Sequence, residues 1–227
     1  MVVSEIIEQG KNTPRAEKIP AETDKWGQLS AEQKTAIIAN IYQNGIGASF
    51  KKTDFVMGAF EKIRLWLSGK FSPKNWLMLR GQVGLGKSKI AQAICTAYNR
   101  VNYSPYVFEN TKKWRIYTAQ QCVAAMKVES ETNEFKKLRT CHKLMIDDLG
   151  SEFPSERNYQ VVYGNHRNCI QEILFERYER NLPTILTSNL TTQQLENLYG
   201  ARILDRLKEK SVLIGFEGES FRNNVSK

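Results

Sequence analysis

The residues with the clearest chemical signature occupy positions 81–88, which read GQVGLGKS. They match G-x-x-x-x-G-K-S, a phosphate-binding loop whose glycines let the backbone approach a ligand without Cβ clashes. Lys87 is the expected contact to β- and γ-phosphate oxygens, and the Ser88 hydroxyl is an expected Mg²⁺ ligand. The remaining members of the predicted nucleotide-binding set are Gly81, Gln82, Val83, Gly84, Leu85, Gly86 and Lys89.

Two carboxylates follow an apolar run at residues 144–146 and form the second expected part of the site. Ligands of open α/β sheets bind at the carboxyl ends of the strands, where Asp147 and Asp148 would lie. Asp147 is placed to hold Mg²⁺, directly or through water. Asp148 is expected to orient or deprotonate an attacking water, with an outer metal-shell or solvent-facing acid as the alternative.

Four further polar residues are candidates for contact with a phosphate. Asn189 ends the stretch TILTSN, which places polar groups at the carboxyl end of a predicted strand, and it could hold the water or the γ-phosphate, although an isolated asparagine is more often a turn former. Arg202 and Arg206 stand four residues apart on one predicted helix face. An arginine supplied to a developing phosphoryl charge contributes on the order of 10³-fold in related reactions, whereas such a pair is otherwise an exposed cationic face. Arg222 is the fourth, with an ordinary C-terminal charge as the alternative.

The elements that carry these residues alternate between strands and helices. Apolar runs predict strands over residues 76–79, 114–118, 143–146, 183–188 and 212–216. Apolar spacing and capping patterns predict a helix after the phosphate-binding loop and others over 30–43, 54–68, 119–127, 165–180, 191–199 and 201–208. Strands that alternate with helices form mostly parallel sheets covered on both faces. We therefore expect an α/β fold with a mostly parallel five-stranded central sheet.

The sequence also predicts where helices end and what two connecting segments form. Gly45, Gly69 and Gly200 are predicted to end helices. Residues 129–139 are expected to be a charged bridge to the next strand, and residues 151–164 a polar loop.

Two stretches leave alternatives open. The isoleucine stripe of the first helix either packs on the body of the protein or faces a partner, and packing is the commoner outcome. Residues 99–113 interleave aromatic and cationic side chains, a composition that can stack on and neutralise single-stranded nucleic acid. The alternative, which we favour, is that these aromatic residues belong to the core and the lysines to the solvent.

Composition narrows the class of protein. The 227 residues include 41% hydrophobic and 25% charged residues, as in ordinary globular domains. The excess of 33 Lys+Arg over 24 Asp+Glu gives a net charge of +9, which suits a nucleic-acid partner or a bound nucleotide. No run of eighteen apolar residues and no signal-peptide core is visible, so we expect no membrane association. The four cysteines form no C-x-x-C pair, which favours reduced thiols in a cytoplasmic protein.

The ordered motifs GQVGLGKS, LMIDDLG, TILTSNLT, GARILDRL and FEGESFR resemble the DnaC/DnaI/IstB branch of the AAA+ ATPases, over about residues 53–222. Members of this branch are replicative helicase loaders and transposition helper proteins. The resemblance implies a P-loop NTPase three-layer sandwich at 53–227, preceded at 1–52 by an arm and helix that could bind a partner. In this branch the N-terminal partner-binding domain is usually larger, and most AAA+ proteins carry Asp-Glu where this chain has Asp-Asp. No guanine-reading N-K-x-D or T-K-x-D is present, so ATP is the expected nucleotide.

The resemblance also implies a role for each candidate residue. Asn189 matches the position called sensor 1, and Arg222 matches a sensor-2-like arginine. Arg202 falls on the arginine finger that completes a neighbouring subunit's site, with Arg206 alongside it. The residues that match the Walker A and Walker B motifs are Lys87, Ser88, Asp147 and Asp148.

The motifs and the family resemblance together predict one main function, with several alternatives. The main one is an ATPase, converting ATP and water to ADP and phosphate with Mg²⁺, that loads a replicative helicase on DNA. It would bind single-stranded DNA and self-associate into a ring or helical oligomer with ATP or DNA. The alternatives are an IstB-like helper of a transposase, or a nucleotide-gated switch on single-stranded DNA with weak hydrolysis. A small-molecule kinase would need a lid and an acceptor pocket, but no arginine supplied in trans.

Overall fold

Five apolar segments of the chain pair side by side in one sheet. The computed structural model describes residues 24–46, 54–103, 112–153, 159–162 and 164–217. Its strands are β1 (Trp76–Gly81), β2 (Trp114–Thr118), β3 (Lys143–Leu149), β4 (Gln160–Val162), β5 (Asn165–Arg167), β6 (Thr184–Ser188) and β7 (Ser211–Phe216). The main sheet has the order β2-β3-β6-β1-β7, and each of its pairings is parallel. This arrangement confirms the predicted parallel five-stranded sheet.

Helices cover both faces of that sheet, because both faces of its strands are apolar. They are α1 (Lys25–Gln28), α2 (Ala31–Ile46), α3 (Asp54–Leu67), α4 (Lys87–Val101), α5 (Ala119–Lys127), α6 (Glu134–Thr140), α7 (Cys169–Glu179) and α8 (Thr192–Lys210). Leu77 and Leu79 of β1 lie in a core cluster with α2, α3 and α4. Trp76 and Met78 face the other way, into a cluster with α5 to α8. The result is the expected three-layer sandwich.

The first long helix packs on the body of the protein, as the sequence favoured. Ile38 and Tyr42 of α2 are buried in the same cluster as α4. The predicted stop at Gly45 is wrong, since α2 continues to Ile46. One glycine costs a helix only about 1 kcal/mol, and packing of the apolar stripe outweighs that cost. The expected boundary between residues 52 and 53 lies outside the described residues.

Two connecting stretches contain structure that the sequence prediction lacked. The charged segment 129–139 includes most of α6, whose Phe135 and Leu138 are fully buried. Residues 151–164 were expected to be a loop, yet β4 lies within them and pairs with β5 in an antiparallel hairpin. This pairing also delays the helix predicted from residue 165, which begins at Cys169. Its N-cap Asn168 accepts a hydrogen bond from the Gln171 amide.

No helix in the described part of the chain is long and apolar enough to cross a membrane.

Candidate functional site

The phosphate-binding loop lies between β1 and α4, with its glycines in conformations that other residues rarely adopt. Gly84 and Gly86 have φ of 86° and 83°, and Gly86 is the N-cap of α4. A Cβ added to Gly81 would lie 2.0 Å from the carbonyl oxygen of Phe216 on β7. Glycine is therefore required at position 81 by close backbone approach, and at 84 and 86 by positive φ. The strand, loop and helix context expected of a P-loop is present.

The start of α4 presents a cationic and amide-rich surface. Lys87 is buried, with 6% of its surface exposed, and its Nζ donates a hydrogen bond of 2.6 Å to the carbonyl oxygen of Gln82. The cap residue Gly86 has no side chain to occupy the first amide groups, and no acidic residue lies in the first turn. Amide groups and dipole at a helix start favour an anion. The local geometry thus suits a phosphate.

The carboxylates lie at the end of β3 and are held by the neighbouring strand β6. Thr187 Oγ1 donates to Asp147 Oδ1 at 2.5 Å and accepts from the Asp148 amide at 2.8 Å. Thr187 is 1% exposed, and its hydroxyl therefore links the carboxylate of Asp147 to the backbone of Asp148. Thr187 is not among the residues predicted from the sequence. The available signal was that TILTSN places polar groups at the carboxyl end of a strand.

Asp148 adopts an unusual backbone conformation at this point. Its φ is 60°, and the β3–β6 register shifts between Ile146 and Leu149. A left-handed conformation outside glycine costs on the order of 1 kcal/mol or more, and surrounding bonds must hold it. Asn189 Nδ2 donates to Asp148 Oδ1 at 2.9 Å, and the Asp148 carbonyl accepts from the Ser151 amide. The structure brings the predicted acid and the predicted asparagine into direct contact.

The acids and the P-loop share one edge of the sheet. In the strand order, β6 alone separates β3 from β1, so the two parts lie about 10 Å apart. Mg²⁺ in phosphate-transfer sites takes one or two protein oxygens and shares the rest with phosphate and water. The Ser88 hydroxyl and the Asp147 carboxylate are oxygens of that kind, so the donor set fits this ion.

A buried acid behind Asp148 was missed by the sequence analysis. Glu152 is 7% exposed, and burial raises the pKa of its carboxyl. Its Oε1 accepts from the hydroxyl of Tyr199, whose pKa is also raised by burial. The two residues lie 47 positions apart. Sequence periodicity carries no signal for such a pair.

The candidate arginines occupy different surroundings. Arg202 is exposed on α8, two residues beyond Gly200, where φ of 79° and ψ of 158° interrupt the helix. Among the described residues, no hydrogen bond or ion pair engages its guanidinium. Arg206 pairs with Glu179 at 3.2 Å, and its guanidinium lies 3.8 Å from the ring centroid of Phe175. Arg222 lies outside the described residues.

The position of α8 separates Arg202 from its own P-loop. α8 packs in the cluster on one face of the sheet, whereas α4 packs in the cluster on the other. The predicted capping box at the start of α8, from Thr191 and Gln194, is present. The structure thus brings together Lys87, Asp147, Asp148 and Asn189 at one edge, and leaves Arg202 as an outward-facing cation.

Comparison with known proteins places the chain in a family. The family model described as IstB-like ATP binding protein matches residues 68–227. The chain belongs to this family. The IstB-like protein is 25% identical over 177 residues to the replicative helicase loader DnaC of Escherichia coli strain K12, covering 75% of this chain and 65% of that protein. It is 27% identical over 158 residues to the insertion sequence IS5376 putative ATP-binding protein of Geobacillus stearothermophilus, covering 66% and 56%.

A solved structure supports the fold. The crystal structure of the DnaC helicase loader superposes on the IstB-like protein with a TM-score of 0.57 at 19% identity, covering 78% of this chain and 98% of that chain. The predicted P-loop AAA+ fold is confirmed. The IstB-like protein spans 56–65% of the length of the two relatives described above.

Proposed function

We propose that the IstB-like protein binds MgATP at the edge formed by its P-loop and acid pair, and hydrolyses it to ADP and phosphate. The observation that carries this proposal is the hydrogen-bonded chain from Asp147 through Thr187 to Asp148 and Asn189. It fixes two carboxylates with separate surroundings beside a phosphate-binding loop. Family membership supports nucleotide binding.

The contacts of the P-loop support a proposed mode of triphosphate binding. The loop amides contact the phosphates, and Lys87 exchanges the carbonyl oxygen of Gln82 for β- and γ-phosphate oxygens. Ser88 and Asp147 would hold Mg²⁺, which would neutralise charge on the phosphates. Because a charged acceptor forms a stronger hydrogen bond with an ammonium group than a neutral carbonyl does, this exchange favours the bound state. Arg222 is proposed as a further phosphate contact.

Asp148 and Asn189 are proposed to act on the attacking water. The side-chain amide of Asn189 binds one carboxylate oxygen of Asp148 and so restrains the carboxylate. In the reaction, water attacks the γ-phosphorus, its proton passes toward Asp148, and the bond to the β-phosphate oxygen breaks. Asp147 is held by Thr187 and keeps its metal-binding role. The two acids therefore perform different tasks.

Arg202 is proposed to complete the site of a neighbouring subunit. It is exposed and lies on a helix at the opposite face of the sheet from α4. Arg206 remains the second candidate, although its contacts with Glu179 and Phe175 already occupy it. A head-to-tail contact that repeats generates a ring or an open helix. Hydrolysis would then depend on association.

The cellular role proposed for this ATPase is loading a replicative helicase on DNA. Its support is the likeness to helicase loaders in sequence and fold, together with a net charge of +9. Residues 1–52 are the proposed partner-binding segment, and single-stranded DNA and a cytoplasmic location belong to the same proposal. The similarity to the IS5376 protein supports a second candidate, a helper that acts with a transposase.

The direct test measures ATP hydrolysis with single-stranded DNA, and with and without a replicative helicase. The proposal predicts turnover that both additions stimulate, and loss of MgATP binding in Lys87→Ala with the fold intact. Stimulation by a transposase and not by a helicase would favour the second candidate. Undiminished nucleotide affinity in Lys87→Ala would refute the site.

A further inference from the structure

The buried pair Glu152 and Tyr199 joins two parts of the protein that the proposed reaction uses. Tyr199 is 1% exposed, and its hydroxyl donates to Oε1 of Glu152. The second carboxyl oxygen, Oε2, accepts from the amide of Gly150 at 2.8 Å. Both oxygens of a buried carboxyl are therefore bonded, one to the loop after β3 and one to α8.

The loop end of this link lies directly behind the proposed base. Gly150 is two residues after Asp148 and has φ of 99°. A Cβ at Gly150 would meet the Leu190 side chain at 2.5 Å, so the turn has little room to move. Glu152 bonds the amide of this turn, and the Ser151 amide bonds the carbonyl oxygen of Asp148. The position of Glu152 thus bears on the backbone of Asp148.

On the helix side, the link ends at Tyr199, three residues before Arg202. The conformation of Gly200 breaks α8, which frees the preceding carbonyl groups from their usual intrahelical partners. The carbonyl oxygen of Tyr199 accepts from Gln171 Nε2 at 2.6 Å, and that of Leu198 accepts from Asn168 Nδ2 at 3.0 Å. Tyr199 is held through both its hydroxyl and its carbonyl, and the helix restarts immediately beyond it.

We propose that Glu152 and Tyr199 are positioning residues that hold Arg202 in a fixed relation to Asp148 of the same subunit. This inference rests on the proposed trans role of Arg202. Within one subunit, Asp148 acts on that subunit's own ATP and Arg202 acts on the ATP of its neighbour. The Glu152–Tyr199 bond would link these two residues. A movement of the loop after β3 would reach Arg202 through the Glu152–Tyr199 bond.

The test uses two variants that are each inactive alone in the proposed account. Arg202→Ala keeps a P-loop and lacks a finger, whereas Lys87→Ala keeps a finger and lacks a working P-loop. Their mixture, with single-stranded DNA and MgATP, should recover activity at interfaces that pair the intact halves. Tyr199→Phe is then added to one subunit type at a time. In the Lys87→Ala subunit it reports the effect on Arg202, and in the Arg202→Ala subunit it reports the effect on the P-loop and acid pair.

Because misplacement of a catalytic group by about 1 Å can cost on the order of 10²-fold, we expect Tyr199→Phe in the Lys87→Ala subunit to lower the recovered activity about tenfold. The same change in the Arg202→Ala subunit should cost clearly less, about twofold. Tyr117→Phe is the matched control, because it also removes a tyrosine–glutamate bond, to Glu134. Tyr117→Phe should change the recovered activity by the same factor in the two subunit types.

Several results would overturn the inference. One is that Tyr199→Phe lowers activity equally in both subunit types, and another is that it has no effect in the Lys87→Ala subunit although the mixture without Tyr199→Phe is active. Either result would show that the Glu152–Tyr199 bond has only a structural role. If the mixture of Lys87→Ala and Arg202→Ala is itself inactive, the proposed trans role of Arg202 is refuted, and this inference with it. Should Tyr199→Phe fail to fold, Glu152→Gln gives the same comparison, because a glutamine side chain has one acceptor oxygen and cannot accept from both the Tyr199 hydroxyl and the Gly150 amide. The larger loss is again expected in the finger subunit.

Discussion

Asn189 donates a hydrogen bond from its side-chain amide to Oδ1 of Asp148 over 2.9 Å, and so joins the carboxyl ends of β6 and β3. Neither residue is buried, so this contact does not serve the core. It aligns a carboxylate that already has an unusual backbone conformation, with φ of 60°. We interpret the pair as the water-positioning part of the proposed site.

Replacing Asn189 with alanine should slow hydrolysis without preventing binding. Loss of one oriented donor at a reaction centre costs on the order of 10²-fold in turnover. We therefore expect kcat to fall about 10²-fold, while affinity for MgATP changes less than about threefold. Steady-state kinetics and nucleotide titration give both numbers. Asn197→Ala is the control, since Asn197 is an exposed asparagine bonded only to Gln193 among the described residues.

Replacing Thr187 with valine should affect stability and activity together. The change keeps the shape but removes the hydroxyl that binds Asp147 and the Asp148 amide. A polar group left unpaired in the interior costs about 1–3 kcal/mol. Urea denaturation should show that loss, and turnover should fall with it. Thr187→Ser keeps the hydroxyl and should recover turnover, so a serine variant as inactive as valine would contradict this role.

Replacing each acid with asparagine should separate the two roles. Asp148→Asn should bind MgATP with nearly normal affinity and hydrolyse it slowly, because the water loses its proton acceptor. Asp147→Asn should in addition weaken the dependence on Mg²⁺ concentration. Binding is measured with a fluorescent nucleotide and turnover by phosphate release. Wild-type turnover in Asp148→Asn would show that this acid takes no part in the reaction.

The buried carboxyl of Glu152 predicts a pH dependence of stability. Burial raises its pKa above the ordinary value of 4.5, so the folded protein binds this proton more tightly than the unfolded chain does. Its contribution to the free energy of unfolding is then greatest at acidic pH and falls as the pH rises from 4.5 through the raised pKa. Relative to Glu152→Gln, the wild type should lose up to about 1.4 kcal/mol per pH unit in that window. Urea denaturation at several pH values checks this, and a constant difference would contradict it.

Local patterns predicted the P-loop and the sheet because their causes are local. Gly84 and Gly86 need positive φ within a short segment, and β1 is apolar on both faces. The capping box of Thr191 and Gln194 likewise spans one turn. The pairing of β4 with β5 was missed, since strands of three residues are too short to show a period.

The features that sequence reasoning could not reach depend on contacts between distant segments. Arg202 and Arg206 look alike in the sequence, and contacts with Glu179 and Phe175 on another helix distinguish Arg206. Glu152 and Tyr199 are separated by 47 positions, so their bond follows from the assembled fold. α6 was missed because its charged residues outnumber the buried Phe135 and Leu138.

The central claim is that one subunit's Arg202 acts on ATP held by its neighbour's P-loop. The most direct measurement mixes Lys87→Ala with Arg202→Ala in equal amounts, with single-stranded DNA and MgATP, and follows phosphate release. If the subunits associate randomly, about a quarter of the interfaces pair an intact P-loop with an intact arginine, so activity should return toward that fraction. The account also predicts that wild-type activity per subunit rises with protein concentration. A mixture that stays inactive, together with wild-type activity independent of concentration, would contradict it.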